Sequence, residues 1–300
     1  MREAILRMIL YFDVFKHPLT LEEIERLVAP GRRDDVLDAT RQLVSDGLIT
    51  IDGRYAFRPG QQRTVQRRQR RARSAERLWP KACAAAGLLA RLPFVRGVFI
   101  TGSLSKRAVT ENADVDFLLL VAPERVWSIK TITQLSRKIL PEPIRELFCT
   151  NYILSVDALA LSDQNLFTAV ELSTAVPMYG PDACTAFIDA NPWASRFVPG
   201  LCWAHQRAQN ARQMPAVTGR APFEALWSDT LARRTEQTAL SLWDRYWNRK
   251  YDWLARDVRA QRFRRSQSTA TNHLHDFQDY VLREVQARLD EVALQEPVRI

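Results

Sequence analysis

Long hydrophobic runs are missing from this chain. The longest apolar stretches, such as Phe117–Ala122, fall far short of the ~20 residues a bilayer-spanning helix needs, which excludes a membrane-spanning protein. A secretory leader is missing as well. MREAILRMILYFD sets Glu3, Arg7 and Asp13 among its apolar residues and offers no small-residue cleavage site, so a cytoplasmic chain is expected. Cysteine motifs are absent: Cys83, Cys149, Cys184 and Cys202 lie far apart, with neither CxxC spacing nor a His pairing. That argues against a disulfide framework and a zinc site, and the four read as reduced packing residues. Lysine is scarce. Six of the 43 basic residues are lysine, which leaves 37 arginines, the better bidentate ligand for phosphate.

What is present is a foldable, basic chain. With 46% hydrophobic and 26% charged residues it carries enough apolar surface for a core, and 300 residues predict two or three domains. Forty-three basic against 34 acidic residues give a net charge of +9, a surplus that attracts polyanions.

Residues 1–60 read as a small helical module. Ile5, Leu6, Ile9, Leu10 and Val14 recur at helical spacing, and His17-Pro18 stops that helix. Thr20 followed by Glu23 is a capping-box start for a helix over Leu21–Val28. A third helix, from about Asp34 to Asp46, ends at Gly47; strand, Asp52-Gly53 turn and strand follow, over Leu48–Ile51 and Arg54–Phe57. Three helices and a β-ribbon describe a winged helix. Residues 61–92 predict a basic connecting helix in which Arg63, Arg67, Arg68, Arg70, Arg71, Arg73 and Arg77 meet one acid, Glu76. Such a run is either a solvated arm or, together with Arg54 and Arg58 of the wing, a nucleic-acid contact surface. Asp34, Asp35, Asp38 and Asp46 beside Arg32, Arg33 and Arg41 make the third helix a poor phosphate reader.

Residues 93–175 turn strand-like, with apolar runs at Phe94–Ile100, Val115–Val121 and Phe148–Leu161 around a helical Glu124–Leu140. From about 176 to 300 the pattern predicts an all-helical domain, rich in tryptophan, in which Trp243, Trp247 and Leu254 form a core face and arginines the wet face. His273 and His275, two apart on a helix, point away from each other and read as capping or surface residues, as does Asp276. The whole is α/β (α+β): a winged helix, a central mixed sheet with helices, and a helical C-terminal domain.

Chemistry concentrates in GVFITGSLSKRAVTENADVDFLLLV. On a strand, residues two apart face the same way, so Asp114 and Asp116 project together while Val115 and Phe117 enter the core. Two carboxylates facing together call for a cation, and hard Mg²⁺ with oxygen ligands answers that need. Gly102 permits close backbone approach, Ser103 offers a hydroxyl and an N–H for phosphate oxygens, and Lys106 and Arg107 follow closely enough to neutralise a triphosphate tail.

Ile100, Gly102, Ser103, Asp114, Val115, Asp116 and Phe117 resemble the signature of the DNA polymerase β-like nucleotidyltransferase superfamily: an apolar strand, Gly-Ser, a spacer of about ten residues, then Asp-x-Asp. The resemblance covers residues 98–120 directly. It implies an NTP substrate, Mg²⁺ or Mn²⁺ held by Asp114 and Asp116 in a two-metal reaction, and release of pyrophosphate. It also implies a third carboxylate from a later strand. There this sequence departs from the family: Asn151 occupies the expected position, Asp157 is its rival, and Glu171 reads as an ordinary helix-surface acid. An amide can ligate a metal but cannot act as a base.

The leading expectation is therefore an Mg²⁺-dependent transferase moving a nucleoside monophosphate to a hydroxyl of an RNA, a protein or a small molecule. The alternatives are a catalytically weak, nucleotide-sensing regulator that binds nucleic acid, or a toxin–antitoxin component with a protein partner. The order of segments also resembles uncharacterised prokaryotic nucleotidyltransferase-domain proteins.

Overall fold

The computed structural model describes residues 1–110, 113–139, 149–212, 224–225, 229–271 and 277–295. Its first helix, α1 (Arg2–Val14), buries Ile5, Leu6, Ile9 and Leu10 and ends just before Lys16, whose backbone is left-handed (φ 52°). After β1 (Leu19–Thr20), α2 (Leu21–Val28) opens on a full capping box. Thr20 Oγ1 accepts from Glu23 N–H at 3.1 Å, and Glu23 Oε2 accepts from Thr20 N–H at 2.8 Å. α3 (Arg33–Ser45), β2 (Thr50–Asp52) and β3 (Tyr55–Phe57) complete this part, with an antiparallel sheet ordered β1-β3-β2. α4 (Arg63–Arg91) then runs unbroken through Pro80. Pro80 and Glu76 are exposed, so water can satisfy the carbonyl that the missing proline N–H leaves unpaired.

The central sheet collects β4 (Val95–Ile100), β5 (Asp116–Val121), β6 (Cys149–Ser155), β7 (Val176–Tyr179) and β8 (Thr269–Thr271) in the order β7-β4-β5-β6-β8. Only the β5–β6 pair is parallel. The helices around it are α5 (Gly102–Ser105), α6 (Val126–Ile139), α7 (Leu166–Thr174), α8 (Pro181–Asp189), α9 (Leu201–Gln209), α10 (Asp229–Lys250), α11 (Arg256–Arg262) and α12 (Phe277–Gln295). The architecture is mixed α/β.

Strand alternation divides the interior into two cores. Val95, Val98, Ile100, Phe117, Leu119, Val121 and Ile153 pack with α4, α6 and the aromatics Trp247, Tyr251 and Phe263. On the other face Phe99, Leu118, Leu120 and Leu154 join α7, α8, α9 and α12. The apolar residues of α1, α2 and α3 belong to that second core, so the first sixty residues share an interior with the sheet. An ion pair from Arg288 to the buried Asp13 at 3.1 Å ties α12 to α1.

The C-terminal part departs from the all-helical expectation, because β7 and β8 enter the sheet at its two edges. Both are too short for a period-two pattern to register, and β7 contains Pro177, which an edge strand tolerates. Strand β6 stops at Ser155 rather than running to Leu161. Trp247 is buried as expected, with Trp243 and Leu254 packed beside it. Phe148, His273, His275 and Asp276 lie outside the described residues. Among the described residues, no helix is long and apolar enough to cross a membrane.

Candidate functional site

The Gly-Ser turn and the aspartate pair meet because β4 and β5 are antiparallel neighbours. Ile100, the last residue of β4, faces Phe117, and Thr101 N–H donates to the Asp116 carbonyl at 2.9 Å. The next residue, Gly102, takes φ +65° and lies directly against the Asp116 side chain. A Cβ at Gly102 would sit 2.3 Å from Asp116 Oδ2, so only glycine fits. Ser103, half-buried in the single turn of α5, has its carbonyl taken by Ala108 N–H at 2.8 Å. Val115 and Phe117 are fully buried, Asp116 is half-buried and Asp114 is exposed, as the alternation requires.

Asn151 joins this group through an irregularity in β6. Thr150 pairs with Phe117 and Tyr152 with Leu118, which leaves Asn151 as the extra residue of a bulge. Its amide Nδ2 donates to Asp116 Oδ1 at 2.5 Å, and its Oδ1 accepts from the Cys149 thiol at 3.1 Å. Asp157 is elsewhere: it lies two residues beyond Ser155, which pairs with Val121 at the far end of β5, and it bonds the Ser155 hydroxyl.

A further acid arrives from a helix. Asn165 caps α7 by accepting from Thr168 N–H at 3.0 Å, and α7 leads into β7, whose Val176 pairs with Ile100. That route delivers Glu171 to the same end of the sheet, where Oε2 accepts from Lys106 Nζ at 2.9 Å. Lys106 Nζ also donates to the Gly102 carbonyl at 3.0 Å. Glu171 is thus a member of the site rather than an ordinary surface acid. One signal in the sequence could have flagged it: Glu171 is the single charged residue in LFTAVELST.

Burial first, then the charges of Glu171 and Asp114, push the Asp116 carboxyl up to about 6, while Lys106 and the Asn151 hydrogen bond pull the other way. The N-terminal segment supplies a wall. Arg68 of α4, 4% exposed, donates to the Arg107 carbonyl at 3.0 Å and to Glu23 Oε1 at 2.7 Å. Burial, and then Glu171, raise the Tyr11 phenol; burial lowers His17, and Arg68, Arg71 and Lys106 lower it further. No motif announced these residues, because the contacts join positions far apart in the chain. The Arg107 side chain is exposed and its backbone is left-handed (φ 53°).

Among the described residues, no three His, Cys, Asp or Glu side chains converge as a ready-made metal cage. Asp114 and Asp116 nevertheless fit one Mg²⁺ that keeps waters and shares its remaining positions with phosphate oxygens, and the glycine at 102 leaves the Asp116 carboxylate open. Glu171 is engaged by Lys106, and Asn151 presents its donor to Asp116.

No protein-family model matches the chain, and neither a curated protein nor a solved structure matches it. Geometry alone carries the functional argument.

Proposed function

We propose that this chain is a nucleotidyltransferase that moves a nucleoside monophosphate from an NTP to an acceptor hydroxyl. The carrying observation is the closure of the Gly102 turn on Asp116, which leaves an open carboxylate beside a backbone that phosphates can approach. In this reading residues 1–60 are a winged helix, supported by the element order α1-β1-α2-α3-β2-β3 and the β1-β3-β2 sheet, and residues 93–175 form the nucleotidyltransferase-like domain.

Asp114 and Asp116 would hold Mg²⁺ or Mn²⁺, which when bound neutralises phosphate charge and polarises the phosphoryl oxygens. The chain's own residues do the rest. Gly102 and Ser103 seat the phosphates, Lys106 turns from Glu171 to the departing pyrophosphate, and exposed Arg107 extends the positive rim. The acceptor oxygen bonds the α-phosphorus as the bond to the β-phosphate oxygen breaks. Glu171, released by Lys106, takes the hydroxyl proton. Asn151 orients Asp116 by its hydrogen bond and carries no proton.

A second reading, a nucleotide-sensing module with little turnover, is favoured by that same amide at 151. Incubation with each α-labelled NTP, Mg²⁺ or Mn²⁺ and a cell extract separates the two. Transfer of label that disappears in Asp114→Ala plus Asp116→Ala is the expected result. NTP binding without transfer supports the sensing module, and transfer unchanged by the double substitution overturns both site assignments.

A further inference from the structure

The run of arginines on α4 separates into two sets once the helix is in place. Arg68 is buried in its ion pair with Glu23, and Arg71 donates to the Phe15 carbonyl at 3.2 Å. Both belong to the face that carries buried Thr64, Val65 and Ala75. Arg63, Arg67, Arg70, Arg73 and Arg77 are all exposed, and their spacing of three and four residues places them along the opposite face. Among the described residues none of the five makes an ion pair, and Glu76, the one acid nearby, projects to the side of the row.

The contrast with α3 locates the surplus charge. There Arg32 pairs with Asp35 at 2.7 Å, Arg41 with Asp38 at 2.9 Å, and Arg33 with Glu25 at 3.8 Å. On α4 adjacent like charges three and four residues apart cost helix stability, each pair by about 0.2–0.5 kcal/mol, and nothing in the described fold relieves them. The row spans roughly 21 Å at about 1.5 Å per residue, the axial length of about six nucleotides of a duplex strand. It is also rigid, since the opposite face of α4 is packed and hydrogen-bonded. An anionic membrane would need apolar anchors beside the cations, and no large exposed hydrophobic side chain lies between 63 and 77.

We infer that Arg63, Arg67, Arg70, Arg73 and Arg77 form a binding surface for the phosphate backbone of a polynucleotide. The surface faces away from Arg107 and the acidic site, so it tethers the polymer rather than holding a reacting end. It goes beyond the transferase reading and does not depend on it.

The test is fluorescence anisotropy of the full chain with end-labelled single-stranded RNA, single-stranded DNA and duplex DNA of ~20 nucleotides, with no nucleoside triphosphate present. Five neutralised phosphates predict a log–log salt slope of about −3.5 for single strands, roughly a hundredfold loss between about 50 and about 200 mM salt. Arg67→Glu plus Arg70→Glu is expected to weaken binding at least about tenfold and flatten the slope. Arg67→Lys plus Arg70→Lys retains the slope, and the charge-matched Arg32→Glu plus Arg41→Glu on α3 leaves affinity within about twofold; circular dichroism verifies the fold of each variant. Binding to any of the three probes with this pattern supports the inference, the preferred probe naming the polymer. Absence of binding at about 50 mM salt, equal loss in the α3 variant, or displacement by polyglutamate or anionic vesicles as effective as by unlabelled oligonucleotide overturns it. Failure here leaves the transferase reading as it stands, because the assay involves no turnover.

Discussion

Burial and the charges of Glu171 and Asp114 hold the Asp116 carboxyl at about 6, so at neutral pH its ionisation costs the folded state free energy. Between about pH 4 and 6 the folded protein keeps a proton that the unfolded chain has lost. The associated stability is complete below the ordinary carboxylate value of 3.8 and is lost as pH rises through about 6. The gap corresponds to about 3 kcal/mol. Asp116→Asn is therefore expected to stabilise the metal-free protein by about 2–3 kcal/mol near pH 8 and to give no gain near pH 4, while removing the carboxylate that the proposed chemistry needs. Urea denaturation at the two pH values checks it; equal effects at both would contradict the burial argument. The pair Asp114 and Asp116 was legible from its spacing, but the proton affinity was not, since Glu171 reaches Asp116 from 55 positions along the chain.

Glu23 illustrates how one residue serves two elements. Its Oε2 closes the capping box of α2, a role spelled out by Thr20 three residues earlier. Its Oε1 pairs with buried Arg68 of α4, a role that no local pattern contains. Glu23→Ala should cost about 3 kcal/mol, more than the ~1 kcal/mol of a lost cap, because it leaves the Arg68 charge buried without its partner. Arg68→Met should cost less, since Glu23 is 27% exposed and water can take its free oxygen. Chemical denaturation of both variants decides; a loss of only ~1 kcal/mol for Glu23→Ala would mean that the ion pair adds nothing. The same logic explains the C-terminal miss. A three-residue strand such as β8 exists because β6 offers it an open edge, not because Thr269–Thr271 carries a strand pattern.

At the scale of the molecule, the N-terminal elements are packed onto the end of the sheet that bears the site, and His17 records that packing. Burial, with Arg68, Arg71 and Lys106 nearby, keeps His17 neutral in the folded state. The unfolded chain takes up the proton as pH falls below about 6.5, so it binds more protons and stability declines below that value. Asp116 contributes the opposite slope only below about 6, which leaves the interval from about 7.5 down to 6 to His17. The urea midpoint should fall across that interval, and His17→Phe, which can keep the ring contact with Phe12, should flatten the fall. A wild-type midpoint constant from about pH 7.5 to 6 would show that the His17 environment admits water.

Sequence by itself determined the features that rest on neighbouring residues: the helix starts and stops of the first sixty residues, the glycine that only a left-handed turn beside a carboxylate requires, and the alternation that turns Asp114 and Asp116 away from the core. Tertiary structure decided the rest. It brought Glu171, Lys106, Asn151, Arg68 and His17 to one end of the sheet, removed Arg68 and Arg71 from the basic row, and left five arginines facing outward without acids. The physical reason is range: periodicity and capping act within a turn or a strand, whereas desolvation and charge act through space between elements that only packing makes neighbours.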